Sequence, residues 1–248
     1  MTAPALVALA HGSKDPRSAE TVNALCEQVR GLRQDLRIEA AFLDHCEPSP
    51  AQVFDRLVAE GFDEVVVVPL LLTAAYHARI DVPAAVQEAA DRHPQLRMRV
   101  SEVLGDDVLL DVLDRRLRSA LKQNRARELD ALVLAAAGSS DARANASVAR
   151  LARLWGARHK LPAVAAFASA APPASGEAVR RFRSEGRRHV AVGSYFIAPG
   201  FLPDRASELA LEAGAIAVGE PLGADPEVAW LVLTRYTVAA VELVPLPA

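Results

Sequence analysis

Val7-Ala8-Leu9-Ala10-His11-Gly12-Ser13-Lys14-Asp15-Pro16-Arg17-Ser18 is an apolar run that stops at a histidine and turns through a glycine, a hydroxyl and three charged side chains. The run has the composition of a strand buried on both faces. Pro16 suits the first turn of a helix, and Asp15 just before it supplies an N-cap. A buried strand that hands a polar turn to a helix start is the repeating joint of a parallel α/β layer. The helix start also aims its positive dipole end and free N–H groups at whatever lies against the turn. The chain contains this joint twice. Residues 137–151 align without a gap on residues 11–25, keeping Gly138, Ser139, Asp141, Arg143, Val148 and Leu151, while Ala137 stands where His11 stood.

Outward from this joint, strands are expected at residues 5–10, 36–43, 64–70 and 96–101, and again at 131–136, 164–167 and 189–195. Apolar residues at helical spacing fall between them, as in Val22, Leu25, Val29 and Leu32. Leu104-Gly105-Asp106-Asp107 leads into a helix reaching about Lys122, and the polar residues 122–128 form the best linker. The register between the halves is 126 from His11 to Ala137, 125 from Gly61 to Gly186 and 118 from Gly105 to Gly223. One long period with small shifts means a duplicated domain with trimmed loops, not a solenoid of short repeats. The expected fold class is therefore α/β, with two tandem similar domains at residues 1–124 and 125–248. Each is a parallel sheet of about four strands flanked by helices.

With 248 residues, half of them apolar, the chain can fill two cores. A net charge of −3, from 28 basic and 31 acidic residues, leaves no electrostatic footprint for nucleic acid. Aromatic residues make up 5%, too few for a base-stacking platform. No apolar run approaches the roughly 18 residues that span a bilayer. No basic segment precedes the first apolar run, so no signal peptide and no membrane partner are expected. Cys26 and Cys46 lack metal-ligand or redox spacing, and a reducing cytoplasm is the expected location.

In open parallel sheets ligands bind outside the carboxyl ends of the strands. Three candidates fall there in the first half: His11, Glu47 and His77. Two imidazoles and a carboxylate are a mixed donor set suited to a borderline divalent metal. In the second half they become Ala137, Pro172 and Leu202 together, as expected of residues that shared one task. Ser13 persists as Ser139, which fits a turn-holding role better than a nucleophilic one. His45 stands near Glu47 and reads equally as a residue behind the site or as a surface histidine. His93, His159 and His189 are expected to be exposed.

The ordered set A-H-G-S-K-D-P-R-S, E-P-S, V-V-V-V-P-L-L-L with a following histidine, and L-G before the last helix of the repeat resembles the CbiX/SirB family of class II sirohydrochlorin chelatases. The likeness covers nearly all of residues 5–121 and, more weakly, 131–240. It implies a long, internally duplicated chelatase with its active site in the cleft between the two domains. The implied reaction is ATP-independent insertion of Fe2+ or Co2+ into sirohydrochlorin, in sirohaem or cobalamin biosynthesis. His11 and His77 would be the metal-binding and proton-accepting residues, with Glu47 as their acidic helper. Lys14, Arg17 and Arg79, with Ser13 at the helix start, would meet the carboxylates of the tetrapyrrole. No cofactor is implied beyond the divalent metal substrate, Fe2+, Co2+ or Ni2+. Fusion of the two halves favours a monomer, though a homodimer stays open. Two other readings compete: a non-catalytic metal or tetrapyrrole carrier, and a histidine-phosphatase-like phosphoryl transferase. The phosphatase pattern puts an arginine before its histidine, where this chain has Ala10.

Overall fold

The structure is a computed structural model in which residues 3–74 and 77–243 are described, His77 by its backbone alone. Its element order is β1 (Ala5–Ala10), α1 (Pro16–Leu32), β2 (Ile38–Phe42), α2 (Pro50–Ala59), β3 (Glu64–Pro69), a π-helical turn (His77–Asp81), α3 (Val82–Arg92), β4 (Arg97–Val100) and α4 (Leu109–Gln123). The second half follows with β5 (Ala131–Ala136), α5 (Ala142–His159), β6 (Ala163–Phe167), α6 (Ser175–Ser184), β7 (Val190–Ser194), α7 (Phe201–Glu212), β8 (Ala217–Val218) and α8 (Pro226–Val241). Two parallel four-stranded sheets result, in the orders β2-β1-β3-β4 and β6-β5-β7-β8. The registers match across the halves: Leu6 lies beside Ile38 and Val66, as Leu132 lies beside Ala163 and Ala191.

β1, β3 and β5 are buried along their whole length, as the apolar sequences of β1 and β5 and the four valines of β3 require, with Glu64 at the start of β3 paired to Arg97 at 2.5 Å. On one face of the first sheet, Ala5, Val7 and Leu9 pack with Val53, Phe54 and Leu57 of α2 and with Val82 and Ala89 of α3. α1 buries Val22, Leu25, Cys26 and Val29, a single helical stripe. The second sheet repeats the plan, with Ala131, Val133 and Ala135 against Ala178, Val179 and Phe182 of α6 and Ala206 and Ala210 of α7. β8, which the sequence pattern did not single out, adds a two-residue edge beside β7.

The compact units are not the sequence halves. One comprises Met1–Gly105 with Ala224–Ala248, and the other Asp106–Gly223. Each repeat's last helix thus belongs to the unit built on the other repeat's sheet. In the first unit α8 packs on α1 and β3, and the Tyr236 hydroxyl donates to the Pro4 carbonyl at 2.7 Å. In the second, α4 lies on β7 and β8, where a Cβ on Gly193 would come within 2.9 Å of Leu113 Cγ and 2.7 Å of Trp155. The indole N–H of Trp155 donates to Asp114 on α4 at 2.7 Å, tying α4 to α5. The division expected between residues 124 and 125 follows the repeat along the sequence, and the exchanged helices displace it. No helix among the described residues is long and apolar enough to cross a membrane.

Glycines test the fold directly. Gly12 has φ +93°, and a Cβ there would sit 1.8 Å from the Asp44 carbonyl oxygen, whereas Gly31 in α1 has nothing within 4 Å. Gly12→Ala is expected to cost about 3 kcal/mol or more, combining left-handed strain with a backbone collision. Gly31→Ala should be neutral or stabilising by up to about 1 kcal/mol. Urea midpoints followed by circular dichroism check the pair.

Candidate active site on the carboxyl edge of the first sheet

The turn after β1 is built by its own side chains. The Ser13 hydroxyl accepts from the Asp15 N–H at 3.1 Å, and the Asp15 carboxylate caps α1 by accepting from the Arg17 N–H at 3.0 Å. The second turn repeats both bonds, Ser139 from Asp141 at 3.0 Å and Asp141 from Arg143 at 2.8 Å. Ser13 is therefore a structural hydroxyl, as its retention implied. The Arg17 guanidinium folds back on Asp15 through Nε at 3.0 Å and holds that carboxyl below the usual range. Lys14 is exposed and has no ion pair among the described residues. Arg79 is exposed on the π-helical turn.

The loop after β2 is pinned to this turn. Asp44 N–H donates to the His11 carbonyl at 2.9 Å, Cys46 N–H donates to the Asp44 carbonyl at 2.9 Å, and Phe42 N–H donates to the Pro48 carbonyl at 3.0 Å. The second half has the same three bonds: Ser169 to Ala137 at 2.9 Å, Ala171 to Ser169 at 2.7 Å and Phe167 to Pro173 at 2.8 Å. His45 and Ala170 share a positive φ, 69° and 60°, and Glu47-Pro48 and Pro172-Pro173 are both cis. The backbone is one loop used twice; its side chains are not. Asp44, His45, Cys46 and Glu47 face Ser169, Ala170, Ala171 and Pro172 in the alignment.

The positive φ at His45 decides which side chains meet His11. The His45 and His11 rings lie with centroids 6.0 Å apart and planes tilted by 55°, and His45 Nδ1 is 3.5 Å from Asp44 Oδ1. Glu47 is exposed. With Asn23, Arg30, Glu39, Gln52 and Arg56 it lines a cavity of about 510 Å³ along the free edge of β2. The structure thus brings His45 and Asp44 to the turn of His11 and places Glu47 in the β2-edge cavity. The signal that could have found them was the loss of both His45 and Asp44 in the second copy. His77 opens the π-helical turn after β3, on the same sheet edge, and its side chain lies outside the described residues. Among the described residues no three His, Cys, Asp or Glu side chains cluster closely enough to hold a metal ion.

The other titratable groups are accounted for by structure. His93 bonds to Asp55 at 2.6 Å and His159 to Asp114 at 2.8 Å, so both are partly buried and paired rather than exposed. His189 lies 3.3 Å from Glu128. Burial pushes the Cys26 thiol up to about 12, leaving it protonated and inert as a ligand.

Two parallel sheets with the same carboxyl-edge turn, His11 on one and Ala137 in its place on the other, define a fused two-repeat α/β chain. The CbiX family model matches residues 5–120 and 131–239, and the chain belongs to that family. It is 29% identical over 206 residues to the sirohydrochlorin cobaltochelatase of Priestia megaterium, covering 80% of this chain and 66% of that one, just under two thirds of its length. It is 27% identical over 208 residues to the sirohydrochlorin ferrochelatase of the same organism, covering 82% of this chain and 77% of that one. The fold is that of the sirohydrochlorin chelatase SirB from Bacillus subtilis subspecies spizizenii, solved in complex with cobalt, with a TM-score of 0.81 over 97% of this chain and 96% of that one at 22% identity.

The two turns differ in one further respect. In the second, the Asn145 side chain accepts from the Ser139 N–H at 3.0 Å and donates to the Ser139 carbonyl at 2.7 Å. Ala19 holds that position in the first, where neither backbone group of Ser13 bonds to a described residue. Asn145→Ala is expected to cost about 1–3 kcal/mol, because it strands two partly buried backbone groups; a urea melt reads the loss. Arg17→Gln should return the Asp15 titration, followed by NMR, upward toward 3.8. The folded-state pKa of Asp15 lies below that of the unfolded chain, so its stabilising contribution is present above pH 3.8 and fades as pH falls through the lowered value.

Proposed function

We propose that this protein is a sirohydrochlorin chelatase that inserts Fe2+ or Co2+ into the tetrapyrrole without ATP, supplying the pathway to sirohaem or to cobalamin. The observation that carries the reading is the selective loss of imidazoles: one carboxyl-edge turn presents His11 and its duplicate, with the same backbone, presents Ala137. Membership of the CbiX family and the names of the two Priestia relatives supply the substrate class.

Insertion forms metal–nitrogen bonds to the macrocycle and breaks two pyrrole N–H bonds, so two protons must leave. His11 is suited to hold the incoming metal, because the ring nitrogen of an imidazole is a ligand for divalent transition metals. His77, arriving on the same edge after β3, is assigned the second metal-binding and proton-accepting role. Asp44, whose N–H donates to the His11 carbonyl, takes the carboxylate role in preference to Glu47, which is among the residues lining the β2-edge cavity. The metal enters as substrate, and an open set of few ligands is what allows its release. The many carboxylates of sirohydrochlorin suit the exposed Lys14, the α1 start at Ser13, and Arg17 and Arg79. No cofactor is assigned beyond the metal. The protein is read as cytoplasmic and monomeric by fusion, with no nucleic-acid partner.

The test mixes protein with sirohydrochlorin and Fe(II) or Co(II) without oxygen and follows the absorbance of the macrocycle. Multiple turnover is expected, and His11→Ala and His77→Ala should each slow it at least about 100-fold. A colour change that stops at one equivalent of protein would make the protein a carrier, and insertion undiminished in both variants would overturn the assignment of the histidines.

A further inference from the structure

We propose that His45 is an additional imidazole ligand for the substrate metal ion, besides His11 and His77, forming with His11 a two-nitrogen capture site on the loop after β2. The proposal rests on the chelatase reading for the identity of the ion and on the structure for the residue.

Three observations carry it. The first is distance. A metal–imidazole bond of about 2.0–2.1 Å puts each ring centre about 3.2 Å from the ion, so two such rings stand about 5 Å apart at a tetrahedral angle and about 6.4 Å apart when opposite. The observed 6.0 Å lies within that span. The second is backbone. His45 sits at φ 69°, a conformation that non-glycine residues adopt at a cost, and the loop that imposes it is held by the Asp44-to-His11 and Cys46-to-Asp44 bonds. The ring carried at that position lies beside the ring of His11. The third is the internal control. Ala170 adopts φ 60° in the same loop of the second half, so the conformation needs no histidine, and the imidazole was lost there together with the one at Ala137. The Asp44 carboxylate, 3.5 Å from Nδ1, is placed to orient the His45 ring, as second partners of metal-bound imidazoles do.

Neutral imidazoles bind cobalt, nickel and iron readily. A pair of them at the loop, half-exposed at His45, gives the ion a first foothold before the macrocycle nitrogens replace water. His45 would then govern metal capture more than the chemistry of insertion.

The experiment titrates Co2+ into the full chain without tetrapyrrole, by calorimetry and by the visible absorption of bound cobalt. The variants are His45→Ala, which the Ala170 loop shows to be compatible with the fold, and His45→Phe, which keeps a ring beside His11 and removes its nitrogens. Both should weaken Co2+ binding at least about tenfold while circular dichroism is unchanged. In insertion assays the metal concentration giving half-maximal rate should rise by a similar factor, with a smaller change in the maximal rate. Parent-like Co2+ affinity in His45→Ala, alongside weakened binding in His11→Ala, overturns the proposal and leaves the chelatase reading intact. Absence of turnover by the parent chain with sirohydrochlorin overturns the chelatase reading, whatever the Co2+ affinities are.

Discussion

The close approach of Gly12 to the Asp44 carbonyl is the contact on which the candidate site of the first half depends. A Cβ at Gly12 would stand 1.8 Å from that oxygen, and one at Gly138 would stand 2.1 Å from the Ser169 oxygen. Removing the side chain lets the turn after the central strand lie against the loop after its neighbour, and the Asp44-to-His11 hydrogen bond fixes the separation. Two loops from different strands thereby become one rigid ledge. His11 and His45 both stand on it, and the same backbone contacts recur around Ala137 and Ala170, so the ledge is held by backbone and not by imidazole. The imidazoles could be discarded in the second half without disturbing the ledge for that reason.

The fold was legible wherever burial imposed composition. Val65 to Val68 and Ala131 to Ala136 have to be strands covered on both sides, and the Asp15-Pro16 and Asp141 helix starts are capped as their sequences require. What the pattern could not convey was partnership. The α4 stripe, including Leu109, Leu110, Val112, Leu113 and Leu117, is as apolar as any core-facing helix, and nothing in it says which sheet it will cover. An amphipathic helix records that it is buried, not against what. The exchange of α4 and α8 between the units is a tertiary choice and appears only in coordinates.

The site was legible to the same degree and for related reasons. His11 follows directly from a strand end, and position relative to a strand is what sequence reads well. Glu47 was marked by its place after β2, and it is among the residues that line the cavity at the edge of β2. Two positions earlier the chain passes through a left-handed His45, whose ring lies beside that of His11. A positive φ at a histidine leaves no mark in composition. The duplicate carried the missing information all the same, since Ser169 and Ala170 replace Asp44 and His45 as cleanly as Ala137 replaces His11.

An enzyme whose substrate is a metal ion faces a constraint that a metalloprotein does not: it must bind the ion and then surrender it. Closed sites of four strong ligands, thiolates above all, fail the second requirement. Among the described residues no three-ligand cluster forms, and the Cys26 thiol is buried and protonated. What the first unit offers, on the proposed chelatase reading, is imidazole nitrogen, with Asp44 beside His45. On that reading uncharged donors would leave the dication its full charge, so the macrocycle, on giving up its two protons, would become the stronger ligand and take the ion. The weakness of the protein site is then part of the mechanism, and the duplicated turn with no imidazole adds no competing trap for the same ion.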